Sequence, residues 1–426
     1  MTKVIIHNLG PIQDCTMEMN NFTILTGAQA SGKSTIAKCV FFCRTIKDDI
    51  YDVILKRMLL GNNNTLFNDV IKILRGKFLQ MFGTSKAMDR QMQLAYYYSE
   101  ETYIRVSLRL QEGYDYISPN YVWIEFSKDI ENYLRLSDNM RDIEKEELKF
   151  GLNTLFHDEY ESVFIPAGRS LITLLTSQLN YLFTTMDDEQ KRSIDYCTQK
   201  YIERILKIRP LFDNGIEGLI NQKRNIPGTT LDRKAIKKVI GLIGEVLKGK
   251  YIFKDNEERL YIDDEHFVKI NYTSSGQQET VWIFNILLHL LINNTKAFII
   301  LEEPEAHLYP QAQKSMVEIL TLAANKSSGI LITTHSPYIL GALNNLIYAA
   351  NLSAKADISE SINAVVEKAF QIKEHNAYFL EHGEIQSCLD SEEEGGLIIN
   401  EVIDGASSEI NELYDQLFDI YYRRKE

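Results

Sequence analysis

The chain predicts an α/β fold with a mostly parallel core sheet, an antiparallel β subdomain and a helical insertion. Three observations predict it. Phe22 to Thr26 is a short apolar, β-branched run that leads through the glycine-bearing stretch Gly27 to Thr35 into a helical pattern at Ile36 to Val40. Ala297 to Leu301 and Ile330 to Ile332 are continuous apolar runs without alternation, the pattern of strands covered on both faces of a parallel sheet. Between Glu101 and Lys128 the apolar residues alternate instead, as in Thr102 to Leu110 and Tyr121 to Phe126, which marks antiparallel strands.

At 426 residues the chain exceeds the usual single core, so two to three structural units are expected, or one domain elaborated by an insertion. A hydrophobic content of 45% with 25% charged residues is that of a globular protein. No stretch of 18 uninterrupted apolar residues occurs, so no membrane span and no membrane partner are expected. Met1-Thr2-Lys3 runs into strand-like Val4 to His7 without an apolar leader, so no signal peptide is expected. The five cysteines, Cys15, Cys39, Cys43, Cys197 and Cys388, form no C-x-x-C pair, which argues against a disulfide framework and a structural zinc and points to reduced thiols in cytoplasm. The net charge of −13 weakens the case for a protein coated in nucleic acid. Basic clusters at Arg204, Lys207 and Arg209, at Lys223 to Lys238 and at Arg423 to Lys425 read as solvated helix faces, because acids are interleaved.

In chain order, Val4 to Ile6, Cys15 to Met19 and Phe22 to Thr26 read as strands separated by Asn8, Gly10-Pro11 and Asn20-Asn21. Thr35 to about Phe82 reads as helix, interrupted by the polar loop Gly61 to Thr65. The alternating strands follow, and Tyr96-Tyr97-Tyr98 before them belongs to half-buried strand edges more often than to a base-stacking surface. Glu161 to Ile165 is a short strand ending in the turn Pro166 to Arg169. Helical periodicity dominates from Leu171 to about Lys248, punctuated at Pro210, Gly215 and Pro227-Gly228, with no sustained heptads. Residues 250–272 return to strands. These shifts divide the chain into 1–165, a helical insertion at 166–249, 250–350, and an α/β extension at 351–426 that ends with the acidic cluster Glu392 to Glu394 and a basic tail.

Four segments carry chemistry. Gly27-Ala28-Gln29-Ala30-Ser31-Gly32-Lys33-Ser34-Thr35 fits G-x-x-x-x-G-K-[ST] at every fixed position. Its glycines let backbone N–H groups turn around phosphate oxygens at a helix N-terminus, Lys33 suits the β- and γ-phosphates of a nucleotide, and Ser34 offers a hydroxyl to Mg²⁺. The alternative is a plain glycine turn before a helix. Second, Ala297 to Leu301 ends in Glu302-Glu303. Buried carboxylates need a cation or a site, so Glu302 fits a Mg²⁺ partner beside Ser34, and Glu303 a base that polarises the attacking water; the competing reading has both acids capping the next helix. Third, Ile330 to Thr334 ends in His335-Ser336, where an imidazole can bond a γ-phosphate and water, or where Thr, His and Ser simply cap a helix. Fourth, Thr273-Ser274-Ser275-Gly276-Gln277-Gln278-Glu279 precedes a helix expected over Thr280 to Leu291 and presents a hydroxyl and amides as a second anion site. One active site requires one triphosphate, so the economical arrangement lets this segment of one chain close over the nucleotide held by another.

These four segments, in this order, resemble the ATP-binding-cassette ATPases, specifically the soluble branch of chromosome-maintenance, recombination and overcoming-lysogenization-defect-type ATPases. The resemblance covers about residues 1–36 and 266–345. It implies an ATPase head in which Gly27 to Thr35 is Walker A, Ser274-Ser275-Gly276-Gln277 the signature motif, Glu302 and Glu303 the Walker B metal carboxylate and catalytic glutamate, Ala306 to Tyr309 the D-loop and His335 the switch histidine. The chain departs from the family pattern at several points. Glu302 stands where Asp is usual, the signature reads T-S-S-G-Q instead of L-S-G-G-Q, and Tyr309 replaces the D-loop aspartate. No Gln marks the Q-loop; the turn Pro166 to Arg169 takes its place, with Arg169 as a candidate sensor of nucleotide or partner. About 90 residues follow His335, and Asp390, Glu392 to Glu394, Glu401 and Asp404 show no D-x-D pattern, which argues against an intrinsic nuclease.

The expected function is a cytoplasmic ATPase, with ATP and Mg²⁺ as cofactors, that dimerises head-to-tail on ATP as a homodimer or higher oligomer. It would drive or gate a separate effector, a nuclease or toxin, in bacterial anti-phage defence, this last carried by the resemblance alone. Two alternatives stand beside it: a nucleotide-gated scaffold that sequesters an effector with little turnover, and a DNA-repair-type clamp on nucleic acid.

Overall fold

A computed structural model describes residues 2–60, 64–109, 121–139, 143–175, 194–224, 231–354, 358–390 and 396–399, with 181, 185–187, 190 and 402. The loop tip at residues 61–63, the turn Pro227-Gly228, the acids Glu392 to Glu394, Glu401 and Asp404, and the basic tail lie outside the described residues.

An 11-stranded sheet runs through the molecule, its strands in the spatial order 122–126, 103–108, 93–97, 2–9, 12–19, 384–387, 375–381, 22–27, 328–333, 297–302 and 161–165. Its strands are β1 (Thr2–Leu9), β2 (Ile12–Met19), β3 (Phe22–Gly27), β4 (Gln93–Tyr97), β5 (Tyr103–Leu108), β6 (Val122–Phe126), β7 (Glu161–Ile165), β11 (Ala297–Glu302), β12 (Ser328–Thr333), β13 (His375–Glu381) and β14 (Glu384–Ser387). A second, antiparallel sheet holds β8 (Lys250–Lys254), β9 (Glu257–Tyr261) and β10 (Phe267–Lys269). The neighbours β13, β3, β12, β11 and β7 pair in parallel, whereas β1, β2, β4, β5 and β6 pair antiparallel within the same continuous sheet. β13, from the C-terminal segment, lies directly beside β3 with Leu380 opposite Gly27.

Residues of β3, β11 and β12 are buried along their whole length, as the unbroken apolar runs require. Successive side chains go to opposite faces, so one sheet feeds two cores. Ile24, Ile299, Leu301, Ile330 and Ile332 meet the helices Arg233–Leu247, Ser275–Ile292, Pro310–Ser327 and Pro337–Ser353. Leu25, Phe298, Ile300, Leu331 and Leu380 meet Lys33–Arg44, Ile46–Leu60 and Leu66–Phe82. The helical stretch read over residues 35–82 with a break at 61–65 is three helices, with a further break at Thr45. Trp282 is fully buried, with ring centroids 5.5 Å from Tyr251 and 6.5 Å from Phe212, and pins the small sheet to the Ser275–Ile292 helix. Burial of such a ring contributes on the order of 3 kcal/mol. Tyr96 and Tyr98 are buried rather than stacking surfaces, and all five cysteines are buried thiols.

Candidate functional site

Parallel strands deliver their carboxyl ends to one edge, and here that edge collects the chemistry. Leu25 of β3 pairs with Thr333 of β12, which pairs with Glu302 of β11; Leu301 pairs with Ile165 of β7. One row therefore brings together the start of the glycine loop, the acid pair, the approach to His335 and the turn after Ile165.

The loop from Gly27 opens into the Lys33–Arg44 helix, whose N-cap Gly32 is left-handed and offers no side chain to the first-turn amides. Ala28, Gln29 and Ala30 are exposed, and Ala30 takes a positive φ of 61°. Gly27 cannot carry a side chain: φ is 139°, and a Cβ would lie 2.3 Å from the carbonyl oxygen of Leu380. Lys33 curls back over the loop, its Nζ donating to the carbonyls of Gly27 (2.7 Å) and Ala28 (2.7 Å). Burial pushes the Lys33 pKa down, and Glu303 and Glu305 oppose that shift. Ser34 is exposed at the first turn, and Thr35 is half-buried behind it.

Glu302 is 5% exposed. Its Oε2 accepts the Ala167 amide (3.1 Å), while Oε1 has no hydrogen-bond partner among the described residues. Burial, the largest effect, raises its pKa; the Ser34 hydroxyl, the Ala167 amide and Lys38 act against it. Glu303 follows with a positive φ of 44°, a left-handed backbone that costs about 1–3 kcal/mol in a side-chain-bearing residue. Its amide is held by the Thr333 carbonyl (2.9 Å), and its carboxylate points out, partly exposed. His335 Nδ1 lies 3.8 Å from Glu303 Oε1 and 3.4 Å from Glu305 Oε1. The structure brings Lys33, Ser34, Glu302, Glu303 and His335 into one neighbourhood.

Glu305 received no role from the sequence, although a third acid in Glu302-Glu303-Pro304-Glu305 was the available signal. It is 5% exposed, and its Oε1 accepts the Thr334 hydroxyl (2.8 Å) and the His335 amide (2.9 Å), so it orients the segment that carries the imidazole. Its Oε2 has no partner among the described residues.

In the segment Ser274, Ser275, Gly276 and Gln277, Gly276 lies against residues 307–308: a Cβ there would lie 2.7 Å from the His307 carbonyl oxygen, so only glycine lets the segment approach. The helix starts at Ser275, not at Thr280, because Ser274 and Gln277 form a reciprocal capping box. Ser274 Oγ accepts the Gln277 amide (3.4 Å), Gln277 Oε1 accepts the Ser274 amide (2.9 Å), and Gln277 Nε2 reaches the Leu247 carbonyl (2.7 Å). Ser274 and Ser275 are exposed, as are Tyr272 (79%) and Tyr309 (72%).

Arg169, the candidate sensor of the turn, is buried. It is 0% exposed, and its guanidinium is bound by the Pro166, Glu279, Glu302 and Glu303 carbonyls and the Glu279 carboxylate. Its buried carboxylate partner, Glu279, lies 110 positions away in the chain.

Among the described residues no group of three or more His, Cys, Asp or Glu side chains is arranged to hold a metal by itself, and no helix is long and apolar enough to cross a membrane.

A family model described as an AAA ATPase domain matches residues 1–340. Protein ea59 of Escherichia phage lambda is 28% identical over 95 residues, covering 20% of this chain and 18% of that protein, so the chain spans less than a fifth of that relative's length. Among solved structures, an Smc head bound to the C-terminal winged-helix domain of ScpA is similar with a TM-score of 0.42 at 12% identity, covering 92% of this chain and 97% of that one. A Pyrococcus furiosus Smc head domain with an extended coiled coil, bound to the C-terminal domain of ScpA, gives 0.39 at 12% identity over 97% and 100% of the two chains. The SMC head domain from Thermotoga maritima gives 0.35 at 11% identity over 90% and 97%.

Proposed function

We propose, of a chain that belongs to the AAA ATPase domain family and accordingly binds and hydrolyses ATP, that two copies close head-to-tail on two ATP molecules and that this closure drives or gates a separate effector. In this reading the amides of Gly27 to Thr35 and the Lys33 ammonium bind the phosphates of ATP. Glu303 orients the attacking water and takes its proton, and His335, oriented through Glu305, bonds the γ-phosphate. The Ser274-Ser275-Gly276-Gln277 segment of the other copy covers the γ-phosphate with its helix N-terminus.

Mg²⁺ fits the residues present. Glu302 Oε1 is a buried carboxylate oxygen in want of a partner, and the Ser34 hydroxyl stands beside that carboxylate. A hard cation that keeps most of its shell from water and substrate phosphates needs only one or two protein oxygens. Ser34 and Glu302 would hold it, and it would supply neutralisation of charge between the β- and γ-phosphates.

The observation that carries the reading is that one chain presents two exposed candidate anion sites on different elements. The glycine loop with its acid pair sits at the carboxyl edge of the sheet; the Ser274-Ser275 turn is exposed, as are Tyr272 and Tyr309, aromatic anchors suited to a protein interface. Glu303→Gln keeps the shape of the side chain and removes the base. With ATP and Mg²⁺ it is expected to accumulate as a dimer by light scattering, with turnover reduced at least about 100-fold. A variant that stays monomeric in ATP, or that hydrolyses at the wild-type rate, overturns the reading.

An effector as partner and a place in anti-phage defence rest on the resemblance of the motifs. One observation favours the scaffold alternative: the Ser274 side chain is committed to its capping box, which leaves backbone amides as the donors for a second copy's nucleotide. Turnover of the wild type no higher than that of Lys33→Ala would select it.

A further inference from the structure

The Pro166 to Arg169 turn places a buried ion pair between the strand end that carries Glu302-Glu303 and the helix that Ser274 caps. Arg169 Nη1 donates to the Glu302 carbonyl (2.6 Å) and the Pro166 carbonyl (2.7 Å), and Nη2 to the Glu303 carbonyl (2.9 Å). Nε donates to the Glu279 carbonyl (3.0 Å) and lies 3.1 Å from Glu279 Oε2. The same carboxylate accepts the amides of Arg169 (3.1 Å) and Ser170 (2.9 Å). Glu279 is 1% exposed and stands in the second turn of the helix that Ser274 caps.

We propose that Arg169, held by Glu279, is a positioning residue that transmits the placement of the Ser274–Gln277 segment to the backbone of Glu302 and Glu303. The proposal rests on the reading above in which Glu303 is the base and Ser274 to Gln277 meet a second copy's nucleotide. A helix moves as a rigid rod over two turns, so a shift at Ser274 arrives at Glu279. The guanidinium is a planar fork, and its bonds to Glu279 and to the two strand-end carbonyls cannot all follow such a shift unless the carbonyls move with it. Glu303 is the sensitive end. Its left-handed φ of 44° persists only where its surroundings hold it, and Arg169 holds its carbonyl. A small reorientation there swings an outward-pointing carboxylate, and a misplacement of about 1 Å costs about 100-fold in rate. Engagement of one copy's Ser274 segment would thereby set the hydrolytic competence of that copy's own site.

Lysine at position 169 keeps the charge and loses the fork; glutamine at 279 keeps the volume and loses the anion. In the full chain, Arg169→Lys and Glu279→Gln are expected to lower kcat about 10- to 100-fold, with KM for ATP and the Kd of a fluorescent ATP analogue within about twofold. Thr173→Val removes a hydrogen bond to the Gln278 carbonyl (2.9 Å) on the same interface without touching the acid pair, and is expected to keep the wild-type kcat. Hydrogen exchange adds a readout on the wild type. A non-hydrolysable ATP analogue is expected to change protection at 275–280 and at 300–305 together, and in Glu279→Gln only the response at 300–305 is lost. Unchanged kcat in a folded variant, or a rate loss matched by KM and by Thr173→Val, overturns the proposal. The two failures are distinguishable: a wild type whose 275–280 amides ignore nucleotide refutes the shared site, whereas a response that reaches 300–305 undiminished in Glu279→Gln refutes only the clamp.

Discussion

Glu302→Gln is expected to make the protein more stable and less active at once. The carboxylate is 5% exposed, one oxygen takes a single amide at 3.1 Å, and the other takes nothing among the described residues. A buried charged acceptor without a partner costs roughly 1–3 kcal/mol, and the amide that replaces it leaves a neutral N–H unpaired at a cost of about 1 kcal/mol. The net gain is up to about 2 kcal/mol, which at about 2.1 cal/mol/K per residue over 426 residues raises Tm by up to about 2 °C. The pH dependence follows from the raised pKa of Glu302, caused first by burial. A carboxyl that ionises less readily in the folded state destabilises the fold wherever it is charged. That penalty is absent below the unfolded-state pKa, grows as the pH rises through the folded-state pKa, and is complete above it. The stability gain of the glutamine variant is therefore largest near pH 8 and shrinks as the pH falls towards the acid range. Thermal melts in EDTA without nucleotide, at several pH values, measure the first effect; phosphate release with ATP and Mg²⁺ measures the second. A glutamine variant that melts lower than wild type at pH 8, or that hydrolyses ATP at the wild-type rate, refutes the account of Glu302 as a strained acid held for a cation.

Glu305→Ala strips the Thr334 hydroxyl and the His335 amide of their acceptor, so stability should fall by about 2–3 kcal/mol and turnover about tenfold, read by denaturant titration and phosphate release. Gly276→Ala forces a methyl to 2.7 Å from the His307 carbonyl oxygen and displaces the turn. Its ATP affinity should stay within about twofold of wild type, while its ATP-dependent dimer, tested in the Glu303→Gln background, weakens about tenfold or more. Asp158→Ala leaves buried Arg44, 2.8 Å from the lost carboxylate, and buried Lys47 without their shared anion. That should cost about 3–5 kcal/mol by chemical denaturation, the price of stranding a buried cation.

The parts of the site legible from sequence share one property: the signal is short-range and over-determined. Phe22 to Lys33 specifies strand, loop and helix within a dozen residues. The runs ending at Glu302 and at His335 are apolar enough that only a buried parallel strand accommodates them, which places their polar ends at the carboxyl edge. β13 lacked such a signal. His375 to Glu381 is half polar, and its seat beside β3 depends on Gly27 accepting the Leu380 carbonyl at close range, a contact between residues some 350 positions apart. The sequence pattern places the start of the Ser275–Ile292 helix at Thr280 for a smaller reason: small polar residues resemble a loop, whereas Ser274 and Gln277 cap each other.

The burial of Arg169 and Glu305 is not legible locally because each is a charged residue made tolerable by distant atoms: Glu279 and the carbonyls of 302 and 303 for the one, Thr334 and the His335 amide for the other. A buried charge without its partners would cost several kcal/mol, so each must be met in the folded chain by groups that the sequence keeps apart. The same requirement gives these residues their use. A charge satisfied by three separate segments ties those segments to one another, and a movement of any one is resisted by the others until all adjust. The catalytic groups are therefore written locally, in strand ends and a glycine loop, while the couplings between them are written in long-range polar contacts, and it is at Arg169 and Glu305 that substitution should separate nucleotide binding from turnover.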